Sequence, residues 1–493
     1  MKLLLDGHDY KYAVEQIMLA LFSHERPNYS SDLIAGSDEP SAESRLSFGE
    51  VYAQSVTLIS CGGKVSRAIA RIKRDKLVDK LTTDRLLQRI VKQSFYRAAA
   101  AFVENPPIWG SLTGIRPAKL AAAALESGLS EKAAARSLTR KYYVSPERAG
   151  ACVDAARKAI ALKQTLSAED IALYVGIPFC PSRCAYCSFV SNSVEKSFKL
   201  IGPFVEALLN EIAAAAETIK GLGLRVAAIY IGGGTPTSLP DEALAAVMSA
   251  LRASLDLSGM REYTVEAGRP DTITAHKLEI ISLMGAGRIC VNPQSMSPDV
   301  LSAIGRRHTP ADVIDAAQLA RNMGAALNMD VIAGLPSDTP AGFRHTLETL
   351  LALGPENITV HTLSLKKGSR IMLEGTDIPS GADVAEMLGH ASRRLRECGY
   401  APYYLYRQKF TSGGFENIGW SLPGHEGIYN ICMMEELCTV LALGGGGVTK
   451  LVSRDGRIER IFNAKYPQEY IMQADRTVSK FKKISEFFGG SIL

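Results

Sequence analysis

The chain has 493 residues, of which 46% are hydrophobic and 22% are charged, a composition near the average for soluble globular proteins that excludes disordered, collagen-like and coiled-coil chains. At roughly 150 residues per domain, this length predicts about three domains. The 56 basic and 51 acidic residues give a net charge of +5, a surplus too small to indicate a nucleic-acid binder.

The N-terminal part of the chain carries no signal for a membrane or for secretion. No apolar run reaches the roughly 18 residues that a membrane helix needs, and the apolar residues 3–5 end at Asp6. Nine cysteines are too few for a disulfide framework. We therefore expect a cytoplasmic protein without an integral membrane segment.

Residues 1–165 are predicted to form an N-terminal α+β accessory domain. Residues 51–59 and 68–72 have the pattern of strands, and an alanine-rich helical pattern runs from about residue 83 to residue 161. Residues 30–44 are polar and rich in turn formers, so we expect a loop there.

Residues 166–375 are predicted to form a central α/β domain in which strands and helices alternate. The strands are expected at residues 171–177, 225–231, 262–266, 288–292, 326–332 and 357–361, with helices at 197–219, 242–255, 275–284, 309–323 and 340–353. Such alternation implies a parallel sheet, either doubly wound or curved into a partial barrel. In both forms ligands bind at the carboxyl ends of the strands. Residues 376–493 lack this alternation, and we predict a mostly helical C-terminal domain.

Three cysteines, Cys180, Cys184 and Cys187, lie directly after the first strand of the central domain. In a reducing compartment this crowding predicts a metal site, and a loop with these spacings can wrap one iron–sulfur cluster. Three thiolates leave one iron of a 4Fe–4S cluster open to another ligand, as a catalytic zinc site keeps one position open. The alternatives are a zinc site with a fourth ligand from elsewhere in the chain, or cysteines that only pack in the core.

The CxxxCxxC loop, with the aromatic residue Tyr186 before its last cysteine, resembles the signature of the radical S-adenosylmethionine (SAM) enzymes. In that family the amino and carboxylate groups of SAM chelate the open iron, and an electron from the cluster cleaves SAM to a 5′-deoxyadenosyl radical. The resemblance implies that Cys180, Cys184 and Cys187 hold the cluster and that the cofactors are a 4Fe–4S cluster and SAM.

The later strands also end in groups that suit a cofactor. Glycines after the second strand let a backbone approach a ligand, carboxylates and amides suit ribose hydroxyls, and an arginine suits the carboxylate of SAM. Each such residue alone would be more typical of the surface, but all of them share the strand-end position. The resemblance assigns cofactor contacts to Tyr174, Tyr186, Gly233, Gly234, Thr235, Glu266, Gln294, Arg306 and Asp330.

Several segments resemble the oxygen-independent coproporphyrinogen III oxidase family. They are LYVGIPFC at 173–180, GRRHT at 305–309 and DVIAGLP at 330–336, and LTGIRP at 112–117 and YYLYRQK at 403–409 are similar to the coproporphyrinogen dehydrogenase HemZ group. The resemblance implies a partial (βα)6 barrel in the central domain and a C-terminal domain that covers the substrate. It also implies a radical oxidoreductase of haem biosynthesis, which decarboxylates two propionates of coproporphyrinogen III to vinyl groups and gives protoporphyrinogen IX. The radical abstracts a hydrogen β to the carboxylate.

A tetrapyrrole with four propionates needs cations and flat apolar walls. Tyr404, Arg407 and Lys409 are our candidates for substrate contacts, although an ordinary half-buried strand explains the same pattern. The expected partners are coproporphyrinogen III and a reducing electron donor such as flavodoxin or ferredoxin, with no nucleic acid.

Two departures from the family pattern leave alternatives open. The decarboxylating members have a fourth cysteine where this chain has Phe189, and a histidine where it has Gly176. Phe189 is what the haem-chaperone relatives of the HemW type carry, so a haem-binding and haem-trafficking role is one alternative. Those relatives have a His-Asn-x-x-Tyr-Trp motif, whereas residues 429–434 read Tyr-Asn-Ile-Cys-Met-Met. The other alternative is a radical SAM methyltransferase that degrades haem anaerobically.

Overall fold

A computed structural model describes residues 1–22, 24–30, 39–187, 192–365, 369–408 and 414–489. The chain divides into two compact units, residues 1–153 and 154–493. The predicted division into three domains at residues 165 and 375 stays a prediction. In the described part of the chain, no helix is long and apolar enough to cross a membrane.

The first unit is an α+β structure, as predicted. Its strands are β1 Lys2–Asp6, β2 Asn28–Tyr29, β3 Ser41–Phe48, β4 Tyr52–Cys61 and β5 Lys64–Lys73, in the sheet order β2-β1-β3-β4-β5. Its helices are α1 Lys11–Leu21, α2 Lys80–Ala99, α3 Ala118–Glu126 and α4 Glu131–Tyr142. Apolar residues of α1 and α2 pack with the buried residues of the sheet in one core.

The loop expected over residues 30–44 is wrong at its C-terminal end, because β3 begins at Ser41. Ala42, Ser44 and Leu46 alternate inward along this strand, and each is buried. Two of these three inward residues, Ala42 and Ser44, are small, and Ser44 is also polar. The strand therefore lacks the apolar alternation that identifies a half-buried strand in a sequence.

The second unit is built on one large sheet. Its strands are β6 Asp170–Ile177, β7 Phe179–Cys180, β8 Asn192–Ser193, β9 Arg225–Gly233, β10 Glu262–Gly268, β11 Arg288–Val291, β12 Ala326–Ala333, β13 Asn357–Thr362, β14 Ala401–Arg407, β15 Glu416–Ser421, β16 Thr439–Gly444, β17 Val448–Val452 and β18 Ile458–Phe462. The sheet order is β14-β15-β13-β12-β11-β10-β9-β6-β16-β17-β18, and β7 pairs with β8 separately.

Helices connect these strands. They are α5 Pro146–Lys163, which spans the boundary between the units, α6 Val194–Ser197, α7 Ile201–Gly221, α8 Asp241–Ser254, α9 Ala275–Leu283, α10 Pro298–Ala303, α11 Pro310–Asn322, α12 Pro340–Leu353, α13 Arg370–Glu374, α14 Gly381–Glu397, α15 Ile428–Glu435, α16 Pro467–Met472 and α17 Ala474–Gly489.

The six predicted strands, β6 and β9 to β13, pair in parallel in chain order, which confirms the partial (βα)6 barrel. Strand β16 extends the parallel set beyond β6, and β15 pairs antiparallel to β13. Residues 376–493 supply helices, as expected, but also five strands that lengthen both edges of the sheet. The carboxyl ends of the parallel strands therefore lie along one edge of the sheet, where a ligand site is expected.

Candidate functional site

A cavity of about 470 Å³ lies at the carboxyl ends of the parallel strands. The three cysteines and the nine predicted cofactor contacts all line it: Cys180, Cys184, Cys187, Tyr174, Tyr186, Gly233, Gly234, Thr235, Glu266, Gln294, Arg306 and Asp330. Residues that are up to 156 positions apart in the chain are thus brought to one space. Their individual roles stay predictions.

The cysteine loop is held by hydrogen bonds to its backbone and to two of its thiols. The backbone N–H of Ala185 donates to the carbonyl of Ile304 at 2.9 Å. The Thr235 hydroxyl donates to the Cys180 thiol at 3.5 Å, and Arg269 donates to the Cys184 thiol at 3.6 Å. Hydrogen bonds to the sulfurs are one of the means by which a protein tunes the reduction potential of an iron–sulfur cluster.

The arrangement of the thiols suits a cluster better than a single ion. Among the described residues, no group of three or more His, Cys, Asp or Glu side chains is placed to hold one metal ion. In a cubane cluster each thiolate binds its own iron atom, so the three sulfurs do not converge on one point. Three thiols that line one cavity beside donor groups fit that requirement.

The glycine loop after β9 packs against the start of the cysteine loop. A Cβ atom on Gly234 would lie 2.4 Å from the Phe179 carbonyl oxygen, and Gly233 has a φ of +109°. The N–H of Thr235 donates to the same Phe179 carbonyl at 2.7 Å. We expected these glycines to let the backbone approach a ligand, and the structure shows that they also let two loops of the chain meet.

Glu266 lies in a polar cluster at the end of β10. Its carboxylate accepts a hydrogen bond from the Tyr230 hydroxyl and another from the Asn292 amide at 2.9 Å. Burial, together with the neighbouring charge of Asp330, raises the pKa of Glu266 to about 7. The carboxyl group therefore changes its protonation near neutral pH.

Asp330 is paired with a histidine that the sequence analysis missed. His361 Nε2 lies 3.5 Å from Asp330 Oδ2, and the Asn328 amide donates to Asp330 Oδ1 at 3.0 Å. Burial alone would raise the pKa of Asp330, but the hydrogen bond and charge of His361 hold it below its usual value. Burial would lower the pKa of His361, but Asp330 and Asn417 raise it above its usual value. An imidazolium beside a carboxylate is thus favoured at the cavity.

Three buried polar atoms of residues that line the cavity have no hydrogen-bond partner among the described residues: Gln294 Oε1, Asn292 Oδ1 and Arg306 Nε. Gln294 also has a φ of +68°, a left-handed conformation that is uncommon outside glycine and is found at functional sites. Arg306 donates to the Tyr186 hydroxyl at 2.9 Å, which joins it to the cysteine loop. Unsatisfied donors and acceptors in a cavity suit a polar ligand such as SAM.

Two of the three predicted substrate residues, Tyr404 and Arg407, do not line the cavity. Tyr404 is 5% exposed and packs in the core against Tyr403, and Arg407 donates to the Gly414 carbonyl at 3.0 Å. Neither lines the cavity, whereas Tyr406 and Gln408, farther along the same strand direction, do. Lys409, like Phe189 of the cysteine loop, lies outside the described residues.

Further residues of the cavity wall were missed in the sequence: Tyr230, Arg269, Asn292, His361, Tyr406, Gln408 and Asn417. A usable signal existed for His361, because it ends a predicted strand just as Glu266 does. No such signal marked Asn417, which follows the start of the antiparallel strand β15.

Comparison with known proteins identifies the family. The profile of the radical SAM superfamily matches residues 174–350. The oxygen-independent coproporphyrinogen-III oxidase-like protein HemZ of Bacillus subtilis is 39% identical over 388 residues, which cover 77% of each chain. The heme chaperone HemW of Escherichia coli is 26% identical over 323 residues, or 64% of this chain and 81% of that protein.

The solved structure of coproporphyrinogen III oxidase HemN from Escherichia coli has the same fold. It gives a TM-score of 0.52 at 21% identity and covers 65% of this chain and 72% of its own. Members of the radical SAM superfamily use a 4Fe–4S cluster and SAM, so these are the cofactors of the protein. With the match to HemZ, the chain belongs to the oxygen-independent coproporphyrinogen III oxidase-like family of radical SAM enzymes.

Proposed function

We propose that the protein is an oxygen-independent coproporphyrinogen III oxidase, which converts two propionates of its substrate to vinyl groups and yields protoporphyrinogen IX. Each conversion gives one hydrogen atom to the 5′-deoxyadenosyl radical, releases carbon dioxide and passes the remaining electron to a one-electron acceptor. The observation that carries this proposal is the 39% identity to HemZ over 77% of both chains. The two-sided cavity supports it. One wall holds the cysteine loop and the cofactor contacts, and the other offers polar and aromatic groups from β13 to β15.

The cofactor wall is suited to orient SAM beside the cluster. When bound, the cluster and SAM supply the radical that removes a hydrogen atom from the substrate. Cys180, Cys184 and Cys187 would hold the cluster. Glu266 and Asp330 accept hydrogen bonds from hydroxyl groups when they are ionised, and the guanidinium of Arg306 complements a carboxylate.

The opposite wall is suited to a carboxylate-bearing tetrapyrrole. His361 exposes 26% of its side chain, and its raised pKa favours the imidazolium, which donates hydrogen bonds to a propionate. Leu363 and Ile332 supply apolar surface there, and Tyr406 supplies an aromatic ring. In this proposal the wall holds the propionate while its β hydrogen faces the cofactor wall.

The HemW match makes a haem chaperone the second candidate. The segment that corresponds to the chaperone motif is internal in this chain. Tyr429 is 6% exposed and stacks on Tyr230 with ring centroids 4.4 Å apart, and the Asn430 amide donates to the Tyr403 hydroxyl at 3.1 Å. Because these two side chains pack or hydrogen-bond inside the protein, this segment is poorly suited to bind haem. That favours the oxidase over a haem carrier that would use this segment.

An anaerobic assay tests the proposal. The reconstituted protein is incubated with SAM, a reductant and either coproporphyrinogen III or haem, and the products are followed by mass spectrometry. We expect 5′-deoxyadenosine and a product that has lost two carboxyl groups, only with coproporphyrinogen III. Haem binding without consumption of SAM would support the chaperone instead, and S-adenosylhomocysteine with loss of haem would support the methyltransferase. Cys184→Ala protein is the control for background cleavage.

A further inference from the structure

A second groove lies on the other side of the cysteine loop. It has a volume of about 630 Å³, and Ser182 and Arg183 of the loop form one side. Residues 305–310, which connect α10 and α11, form most of the other side, and Arg370 at the start of α13 contributes to the rim. This groove is separate from the cofactor cavity, although Arg306 lines both.

The groove is positively charged. Arg183, Arg307 and Arg370 are exposed around it, Arg306 is buried beneath it, and none of the described residues that line it is acidic. Burial and the neighbouring Arg306 lower the pKa of His308 to about 4, so this histidine is neutral and adds no charge.

Two of the rim arginines have acidic neighbours outside the groove. Arg307 pairs with Glu195 at 3.0 Å, and Arg370 pairs with Glu374 at 3.0 Å. All four side chains are more than half exposed in these pairs. Exposed ion pairs of this kind contribute little free energy, so an incoming carboxylate can replace either glutamate at small cost.

Arg269 links one side of the groove to a cysteine thiol. The Ser182 hydroxyl lies 3.4 Å from the Gly305 carbonyl, to which it donates. Arg269 donates to the Ser182 carbonyl and, through the same nitrogen, to the Cys184 thiol at 3.6 Å. Ser182, which lines the groove, and Cys184, which lines the cofactor cavity, therefore share one hydrogen-bond donor.

We propose that this groove is the docking surface for a small acidic protein that carries one electron at a time and reduces the cluster. The inference rests on the cofactors of the family and on the need of the proposed function for a reductant. A cationic groove steers an acidic partner and raises its association rate. In the transfer step no bond forms or breaks: the carrier loses one electron and the cluster gains one.

Flavodoxin, in excess over the reconstituted protein and without substrate, is the probe. Its dissociation constant is measured in the oxidised form by calorimetry at low and moderate salt, and the rate of cluster reduction by its hydroquinone is measured by stopped flow. We expect Arg183→Glu and Arg370→Glu each to weaken binding by about 10-fold at low salt and to slow reduction, because charges at the rim of an interface govern association. Moderate salt should shrink the difference.

Two controls separate docking from damage to the cluster. Reduced methyl viologen, a small cation, should reduce the cluster of both groove variants at least as fast as that of the wild type, because the charge reversal does not repel a cation. Arg344→Glu reverses an exposed arginine on α12 that does not line the groove, and it should leave flavodoxin binding unchanged. Arg370 lies outside the cysteine loop, so its variant remains informative if Arg183→Glu lowers the iron content.

The proposal is overturned if both groove variants bind flavodoxin with the wild-type affinity, or if Arg344→Glu weakens binding as much as they do. Because substrate is absent from these measurements, their failure leaves the proposed oxidase activity untouched. A lack of coproporphyrinogen turnover would likewise leave the docking result valid.

Discussion

The two walls of the cofactor cavity differ in how the chain builds them. The cofactor wall comes from loops that directly follow parallel strands, and it carries the three cysteines and the glycine loop. The opposite wall includes His361, Tyr406 and Asn417, which lie on β13 and on two strands that join the sheet at its edge. The residues of the cofactor wall lie in short local sequence motifs. The residues of the opposite wall come together only when strands that are distant in the sequence pair.

The two walls also differ in how their charge changes with pH. Glu266 on the cofactor wall gains negative charge as the pH rises through about 7. His361 on the opposite wall loses positive charge as the pH rises through its raised pKa. If one wall binds SAM and the other binds a propionate, the two affinities should change with pH in opposite directions.

The largest expected effect comes from removing a cluster ligand. Cys180→Ala, Cys184→Ala and Cys187→Ala should each abolish SAM cleavage, because two thiolates cannot hold the cluster in its site. Iron and sulfide content and the electron paramagnetic resonance of the reduced protein report cluster loss, and circular dichroism should stay that of the wild type. Cys61→Ala, at the end of β4 in the other unit, is the matched control and should keep full activity. Cleavage retained in all three variants would remove the cluster from this loop.

A buried network behind the site should dominate stability. Glu211 is fully buried and accepts hydrogen bonds from Lys480 at 2.5 Å and from the backbone N–H of Gly444 at 2.7 Å. The next residues, Gly445 and Gly446, line the cavity. Glu211→Ala should lower the free energy of unfolding by about 3–5 kcal/mol, because it leaves the buried ammonium of Lys480 without a carboxylate to balance its charge.

Trp420 is buried in β15 and reports on the second unit, provided that Trp109→Phe first removes the other of the two tryptophans. In that background, urea titration of Trp420 fluorescence measures how much Glu211→Ala lowers the free energy of unfolding. The double variant E211L/K480M removes both charges and should recover much of it. Equal loss in the single and the double variant would show that the charge pair is not what matters.

His361→Gln should weaken binding of the tetrapyrrole by about 10-fold to 100-fold, since a hydrogen bond to a charged group contributes roughly 1.5–3 kcal/mol. Coproporphyrin III, the oxidised form that does not react, allows the dissociation constant to be measured by fluorescence. Above about pH 6, where the propionates are ionised, the wild-type affinity should fall as the pH rises through the pKa of His361, and the variant should show no such fall. Tyr404→Phe, which alters a core residue outside the cavity, should bind as the wild type does.

The smallest expected effect is on the cofactor wall. SAM affinity should rise about 5-fold as the pH increases through the pKa of Glu266, because a charge-assisted hydrogen bond is stronger than a neutral one by roughly 1 kcal/mol. Glu266→Gln keeps the size of the side chain and should remove this rise. Calorimetric titration of SAM from pH 6 to pH 8, outside the range of the carboxylates with usual pKa values, follows the effect, and the variant separates it from the titration of His361. A pH dependence that survives in the variant would assign it to another group.

Much of the central fold could be predicted from local pattern. Helix α12 has the predicted bounds, and β6 differs by one residue, because buried parallel strands read as continuous apolar runs between helices. Much of the cofactor wall could be predicted with it, since the cysteine loop, the glycine loop, Glu266 and Asp330 lie at or just after the ends of predicted strands. The start of strand β3 was not predicted, because its inward residues Ala42 and Ser44 are small and one of them is polar.

The opposite wall was predictable only in part. Tyr404 was predicted to contact the substrate, but the sequence does not show which tyrosine of residues 403–406 reaches the cavity. Tyr404 fills the space beside Gly419, where a Cβ atom would lie 2.0 Å from its ring, and Tyr406 lines the cavity instead. That choice depends on the pairing of β14 with β15 and of β15 with β13, a long-range arrangement that no local pattern encodes.

The transfer of hydrogen from substrate to cofactor tests the central claim most directly. Coproporphyrinogen III that carries deuterium at the propionate carbons β to the carboxylates is incubated anaerobically with the reduced protein and SAM. We predict 5′-deoxyadenosine that is heavier by one mass unit, formed together with the decarboxylated product. Unlabelled 5′-deoxyadenosine, or none at all while the protein retains its cluster and binds SAM, would contradict the assignment of this cavity to coproporphyrinogen oxidation.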